Sequence, residues 1–170
     1  MQKYSKTTIE SYDKTVDDYA DMVRTLSPSK ESKIFLSLIG RNSSILDLGC
    51  GPGRDSKIFA DKGYKVVGID LSRRMIKSAK KFVKNADFKV IDMMNLNLKT
   101  NSFDGIWANA ALLHLRKRDF PKALKGVYRI LKKDGIFYLS LKQGKGEGIV
   151  SDHRYGGIKK FWSFFQKNEI

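Results

Sequence analysis

"ILDLGCGPGRDS", residues Ile45–Ser56, decides the fold. Its first half is an apolar run that suits a strand, and its second half puts glycine at positions 49, 51 and 53. A glycine-rich turn lets backbone approach a ligand where any side chain would collide. Three readings of the turn compete, and spacing separates them. A phosphate-cradling loop requires Gly-x-x-x-x-Gly-Lys-Ser/Thr, and this stretch has neither that spacing nor a lysine followed by a hydroxyl. The dinucleotide pattern Gly-x-Gly-x-x-Gly, counted from Gly49 and Gly51, meets Arg54 where its third glycine belongs. What remains is Asp-x-Gly-x-Gly-x-Gly from Asp47 to Gly53, in which an acid at the strand end precedes the glycines.

Outward from this turn, short apolar runs alternate with helix-period segments. "SILDL", "KVVGI", "DFKVI", "FDGIWA" and "GIFYLSL" read as five strands buried on both faces. Helical stretches near Arg54–Lys62, Ser72–Lys84 and Pro121–Lys132 lie between them, the last ended by "KKDG" at Lys132–Gly135. Strand–helix alternation predicts an α/β fold, a Rossmann-like doubly wound parallel sheet of about five strands joined by right-handed crossovers. Upstream, Ile9, Tyr12, Val16, Tyr19, Val23 and Leu26 recur at steps of three and four, which predicts an amphipathic helix ending before Ser27. A second short helix would bury Ile34, Phe35, Leu38 and Ile39, with Gly40 as its left-handed cap. One domain is expected over 1–170: a helical cap at 1–40, a core at 44–141, and a loop or lid with a shortened C-terminal part at 142–170.

The composition is that of a globular chain with a net charge of +15 and a pI near 9.9. Such a surface attracts nucleic acid non-specifically. The basic residues are nevertheless spread along the chain, and Arg73, Arg74, Lys77, Lys80, Lys81 and Lys84 recur opposite Met75, Ile76, Ala79, Phe82 and Val83, as on a solvated helix face. A single cysteine and two histidines supply neither a disulfide framework nor a zinc site. No apolar run approaches the roughly 20 residues of a membrane span, and the first residues lack a signal-peptide core. A cytoplasmic location away from membranes is the expectation.

"ILDLGCGPGRD" followed by "VVGIDLS" at Val66–Ser72 resembles the class I S-adenosylmethionine-dependent methyltransferases. "DFKVIDMMNL" at Asp87–Leu96, "NSFDGIWANAALLHL" at Asn101–Leu115 and "ALKGVYRILKKDGIFYLSL" at Ala123–Leu141 resemble the following segments of that family, in order. The resemblance implies S-adenosylmethionine as cofactor and S-adenosylhomocysteine as product. Asp47 would organise the turn and face the methionine ammonium, with the backbone of Gly49, Cys50, Gly51 and Gly53 close beneath the cofactor. Asp70 would accept from both ribose hydroxyls, a task that suits an acceptor-only carboxylate. Leu71 and Met75 would contact adenine or ribose, Asp92 and Met93 the adenine, and Asn109 and Ala110 the methionine part. The N-terminal "SYDKTVDDYA" resembles a helix that covers the site in this family, which would bring Tyr12 and Tyr19 to the cofactor.

Methyl transfer needs alignment and exclusion of water more than a fixed catalytic set, and a base helps where the acceptor carries a proton. His114, just after the fourth strand, is the candidate base; packing or capping is the alternative role. His153, Arg154 and Tyr155 in "SDHRYGG" are a candidate lid cluster. The chain departs from the family pattern at its end: the antiparallel hairpin that follows the fifth strand is expected to be missing, with Gln166 opening a helix. The expectation is then a truncated or split gene product, or a homodimer or C-terminal fragment covering the fifth-strand edge. The acceptor expected is a small molecule. An RNA methyltransferase, favoured by charge alone, and a non-catalytic cofactor-binding remnant are the alternatives.

Overall fold

In the computed structural model, which describes residues 3–153 and 157–170, the five apolar runs form β1 (Ser44–Leu48), β2 (Lys65–Asp70), β3 (Asp87–Val90), β4 (Phe103–Asn109) and β5 (Leu131–Ser140). They pair in the order β3-β2-β1-β4-β5, all parallel. Alternation along β1 sends Ile45 to one face and Leu46 and Leu48 to the other, all fully buried. The Ile45 face is covered by α3 (Ser29–Leu38), α4 (Arg54–Ala60) and α5 (Arg73–Phe82), which contribute Phe35, Phe59, Ile76 and Ala79. On the Leu46 face lie α6 (Phe120–Ile130), with Ala123, Val127 and Ile130, and the turn after β4, with Leu112 and Leu115. Trp107 of β4 has no exposed surface, stacks on Tyr138 at 3.7 Å and meets Phe35 and Phe59 edge-on.

Four local expectations are corrected. The N-terminal helix is two, α1 (Lys3–Lys14) and α2 (Val16–Thr25), broken where the Thr15 hydroxyl donates back to the Ser11 carbonyl at 3.0 Å. In α3, Phe35 is buried while Ile34 and Leu38 face solvent, and the left-handed residue beyond it is Asn42, not Gly40. The "KKDG" at Lys132–Gly135 lies inside β5, where Asp134 takes φ 63° beside a register shift, so α6 ends at Ile130 without a glycine cap.

The fourth correction reshapes the molecule. Residues 142–165, expected to be an aperiodic loop running into a helix, form a second sheet of β6 (Lys142–Gln143), β7 (Glu147–Asp152) and β8 (Ile158–Phe165) in the order β6-β8-β7. β7 and β8 are an antiparallel pair, and Gln166–Glu169 closes as a short 3-10 turn rather than a helix. This pair does not extend the main sheet. Among the described residues the outer side of β5 has no strand beside it. Instead β8 packs against α1 and the turn after β4, with Phe165 in the Leu46-side core. No helix among the described residues is long and apolar enough to cross a membrane.

Candidate active site

Strand order reverses between β1 and β4, and in open parallel sheets ligands bind beyond the strand ends at that point. Gly49, Gly51 and Gly53 all take positive φ, at 75°, 51° and 87°, so the turn has the shape only glycine adopts easily. A Cβ on Gly49 would stand 2.5 Å from that of Ala111, so this turn touches the one after β4. The amides of Gly49 and Cys50 donate to the Ile69 carbonyl at 2.8 and 2.9 Å, and that of Gly51 to Asp70 Oδ2 at 3.0 Å. Asp70 Oδ1 accepts the Ser72 amide at 2.8 Å. Two turns thus fix one carboxylate. Burial pushes its pKa up against the pull of these amides, and the Asp13 charge adds to the rise.

A cavity of about 340 Å³ opens from this carboxylate. Gly49, Gly51, Asp70, Leu71, Met75, Asp92, Met93, Asn109, Ala110, Tyr12, Tyr19 and His114 all line it. Asp47, Cys50 and Gly53 do not line it. Asp47 lies buried behind the turn, takes the Ser56 hydroxyl at 2.6 Å, and is pushed up to about 7 by burial and then by the Asp55 charge. Cys50 is buried on the sheet side, where a Cβ on Gly68 would meet its sulfur at 3.1 Å; burial raises its thiol pKa, so it is a packing residue. Gly53 packs against Ala79.

Arg54, unassigned from sequence, reaches the cavity instead of Asp47. Its Nε and Nη2 donate to Asp55 at 2.5 and 2.8 Å, and the same carboxylate takes Trp107 Nε1 at 2.8 Å and Asn109 Nδ2 at 3.0 Å. Ser140 Oγ completes this cluster, donating to Asn109 Oδ1 at 2.7 Å while accepting the Ala110 amide at 2.8 Å. Ser72 was also missed: it accepts the Met75 amide at the start of α5 and meets Asp13 of α1 at 2.5 Å. Its signal was present, since serine before a helix reads as a cap. α2 is held over the turn by Arg24, whose Nη2 donates to the Pro52 carbonyl at 3.1 Å and whose guanidinium sits 3.9 Å over the Phe82 ring.

The far end of the cavity is made by α1, β8 and the 3-10 turn Leu112–His114. His114 Nδ1 lies 2.8 Å from the Phe161 carbonyl, which can only accept, so that nitrogen carries the hydrogen. Nε2 is then the acceptor for the Tyr12 hydroxyl at 3.1 Å. Burial holds the ring down to about pKa 4 against that carbonyl, with the charges of Lys160 and Lys142 adding to the fall. Both ring nitrogens are engaged. Lys160 and Asp152, neither singled out from sequence, form a buried ion pair at 3.2 Å in the same wall. His153 is exposed and outside the cavity, and Arg154 and Tyr155 lie outside the described residues.

A family model described as a methyltransferase domain matches residues 46–139, from β1 through most of β5. The chain is a class I S-adenosylmethionine-dependent methyltransferase by family. Among curated relatives, malonyl-[acyl-carrier protein] O-methyltransferase of Pseudescherichia vulneris is 30% identical over 131 residues, which are 75% of this chain and 49% of that protein. The methyltransferase chain thus spans about half the length of this relative and less of several others. A solved S-adenosylmethionine-dependent methyltransferase from Methanosarcina mazei superposes with TM-score 0.73 at 25% identity, covering 85% of this chain and 80% of that one. The fold extends to 1,6-didemethyltoxoflavin-N1-methyltransferase of Burkholderia thailandensis, solved with its acceptor and S-adenosylhomocysteine, at TM-score 0.75 and 23% identity over 98% of this chain and 73% of that one.

Proposed function

We propose that this methyltransferase acts on a small-molecule acceptor held between α1 and β8, with the cofactor at the Asp70 end of the same cavity. The observation that carries this reading is the continuity of the cavity: one space of about 340 Å³ reaches from Asp70 and Asp92 to Tyr12, His114 and Lys160. The residues fit the cofactor. Asp70 is fixed by two amides and faces the cavity, as a ribose ligand requires; Asp92, Met93 and Met75 line the adenine side; and Arg54, not Asp47, is the charged group available to the amino-acid part. When bound, the cofactor supplies an activated methyl carbon on a sulfonium whose departure leaves a neutral thioether.

The chain's own residues then have to orient the acceptor and exclude water. Tyr12 and Tyr19, in edge contact at 5.0 Å, both line the cavity and give it an aromatic wall. His114 positions the Tyr12 hydroxyl and takes a proton only through it, since its Nδ1 hydrogen is held by Phe161. The basic face of α5 points to solvent away from the cavity, which supports a small acceptor over RNA. Calorimetric titration with S-adenosylmethionine tests the cofactor half; micromolar binding by wild type and its loss in a folded Asp70→Ala variant are expected. A folded wild type that does not bind overturns the reading.

A further inference from the structure

Asp13 stands where an acid is disfavoured twice. It lies in the last turn of α1, at the end that carries the negative pole of a helix. Its charge also acts on buried Asp70 and adds to the rise in that carboxyl's pKa. What offsets these costs is Ser72. That residue is 2% exposed and caps α5 by accepting the Met75 amide at 3.0 Å, so its hydroxyl hydrogen needs an acceptor of its own. Asp13 Oδ1 is that acceptor, at 2.5 Å. The first turn of α5 holds no acid and begins with Arg73 and Arg74. A residue 59 positions upstream thus brings the negative charge that a helix start favours.

We propose that Asp13 is a positioning residue for the cofactor: by taking the Ser72 hydroxyl it fixes the Asp70–Ser72 turn from α1 and keeps the Asp70 carboxylate aimed into the cavity. Asp13 does not line that cavity, so it acts through Ser72, whose amide donates to Asp70 Oδ1 at 2.8 Å. The same helix also reaches the other end, where Tyr12 bonds His114 and the Thr8 hydroxyl takes the Phe161 amide. The inference rests on the methyltransferase reading for the identity of the ligand. Of the other charged groups, Arg54 and Asp92 line the same cavity and are held by Asp55 and by the Met94 amide, while Arg73 and Arg74 face solvent.

The test is calorimetric titration with S-adenosylhomocysteine of folded wild type, Asp13→Asn and Asp13→Ala between about pH 4 and 8. NMR of the ligand-free proteins, read at the Asp70 carboxyl and by hydrogen exchange at the Met75 amide, accompanies it. Asp13→Ala takes the acceptor from the Ser72 hydroxyl, so affinity near pH 8 should fall about tenfold and Met75 exchange should quicken. Asp13→Asn keeps an oxygen for that hydroxyl and should return affinity to within about threefold of wild type, with Met75 exchange restored. Affinity is lost as pH falls and Asp70 takes a proton. Both variants remove a charge that raises the Asp70 pKa, so both should carry the midpoint of that loss, and of the carboxyl titration, to lower pH. Affinity unchanged in Asp13→Ala, equal losses in the two variants, or midpoints that do not move overturn the positioning role. A wild type that binds no S-adenosylhomocysteine would instead overturn the methyltransferase reading, and Met75 exchange quickened in Asp13→Ala and restored in Asp13→Asn would then leave the tie between α1 and this turn standing.

Discussion

At the Asp70 end of the cavity the shaping atoms are backbone: amides of Gly49, Cys50, Gly51 and Ser72, held in turns that leave adjacent parallel strands. At the Lys160 end they are side chains, brought together from α1, the turn after β4 and the second sheet. The first end is fixed by the main sheet and moves only if the fold does. The second end depends on contacts between segments distant in the chain, among them the Thr8 hydroxyl taking the Phe161 amide at 2.9 Å and the Ser11 hydroxyl donating to the Lys159 carbonyl at 2.6 Å. The contrast teaches where change is tolerated: acceptor-end residues can be altered without disturbing the frame that carries the cofactor.

Substitutions that respect this boundary sharpen the contrast, and one that crosses it would break it. The largest effect belongs to the frame. Trp107→Ala empties the centre of the Phe35–Phe59–Tyr138 cluster and removes a donor from Asp55, so urea unfolding should show a loss of about 3–5 kcal/mol. Next is pH. The folded pKa of His114, near 4, lies below its unfolded value near 6.5, so its contribution is whole above pH 6.5 and is lost as pH falls towards 4, on the order of 3 kcal/mol. Asp47, raised to about 7, acts oppositely in the same window: its contribution is whole below about pH 4 and is lost as pH rises through 7. Thermal melts of His114→Phe should therefore show stability declining from pH 4 to 7, a slope that wild type masks and that Asp47→Asn in the His114→Phe background reduces, the raised Asp70 keeping the rest.

Asp70→Ala comes third, with cofactor affinity falling about 100-fold by calorimetry, as the loss of charge-assisted hydrogen bonds implies. Smallest is Tyr12→Phe, which deletes the hydroxyl that bonds His114 and should cost about 1 kcal/mol in a denaturant titration. Its cofactor affinity should stay within about threefold, since the ring that packs on Tyr19 is kept.

The same boundary separates what the sequence makes legible from what it hides. The Ile45–Ser56 turn, Asp70 and Asp92 were readable because each lies at the end of a strand, in an order carried by local apolar runs and glycine spacing. A strand-end acid reads the same in sequence whether it faces the cleft or the core; Asp47 lies buried behind the turn, where it pairs with Ser56 of α4. Lys160 was hidden more deeply. In sequence it belongs to a pair of lysines beside glycines, and only the antiparallel pairing of β7 with β8 turns one inward and sets Asp152 near it. The break at Thr15 had a short-range cause, a hydroxyl bonding back one turn, but the apolar stripe runs through it without interruption.

The backbone of Phe161 is gripped from two sides, its amide by Thr8 and its carbonyl by His114. That one residue is a built-in clock. Its amide hydrogen can trade with solvent deuterium only in moments when α1 has lifted from β8, so its exchange rate counts how often the outer wall parts, while amides of β1 count unfolding of the whole domain. The ratio of the two rates says how much more readily the outer wall parts than the domain unfolds, and a ligand that bridges the two walls should slow the first clock while leaving the second untouched.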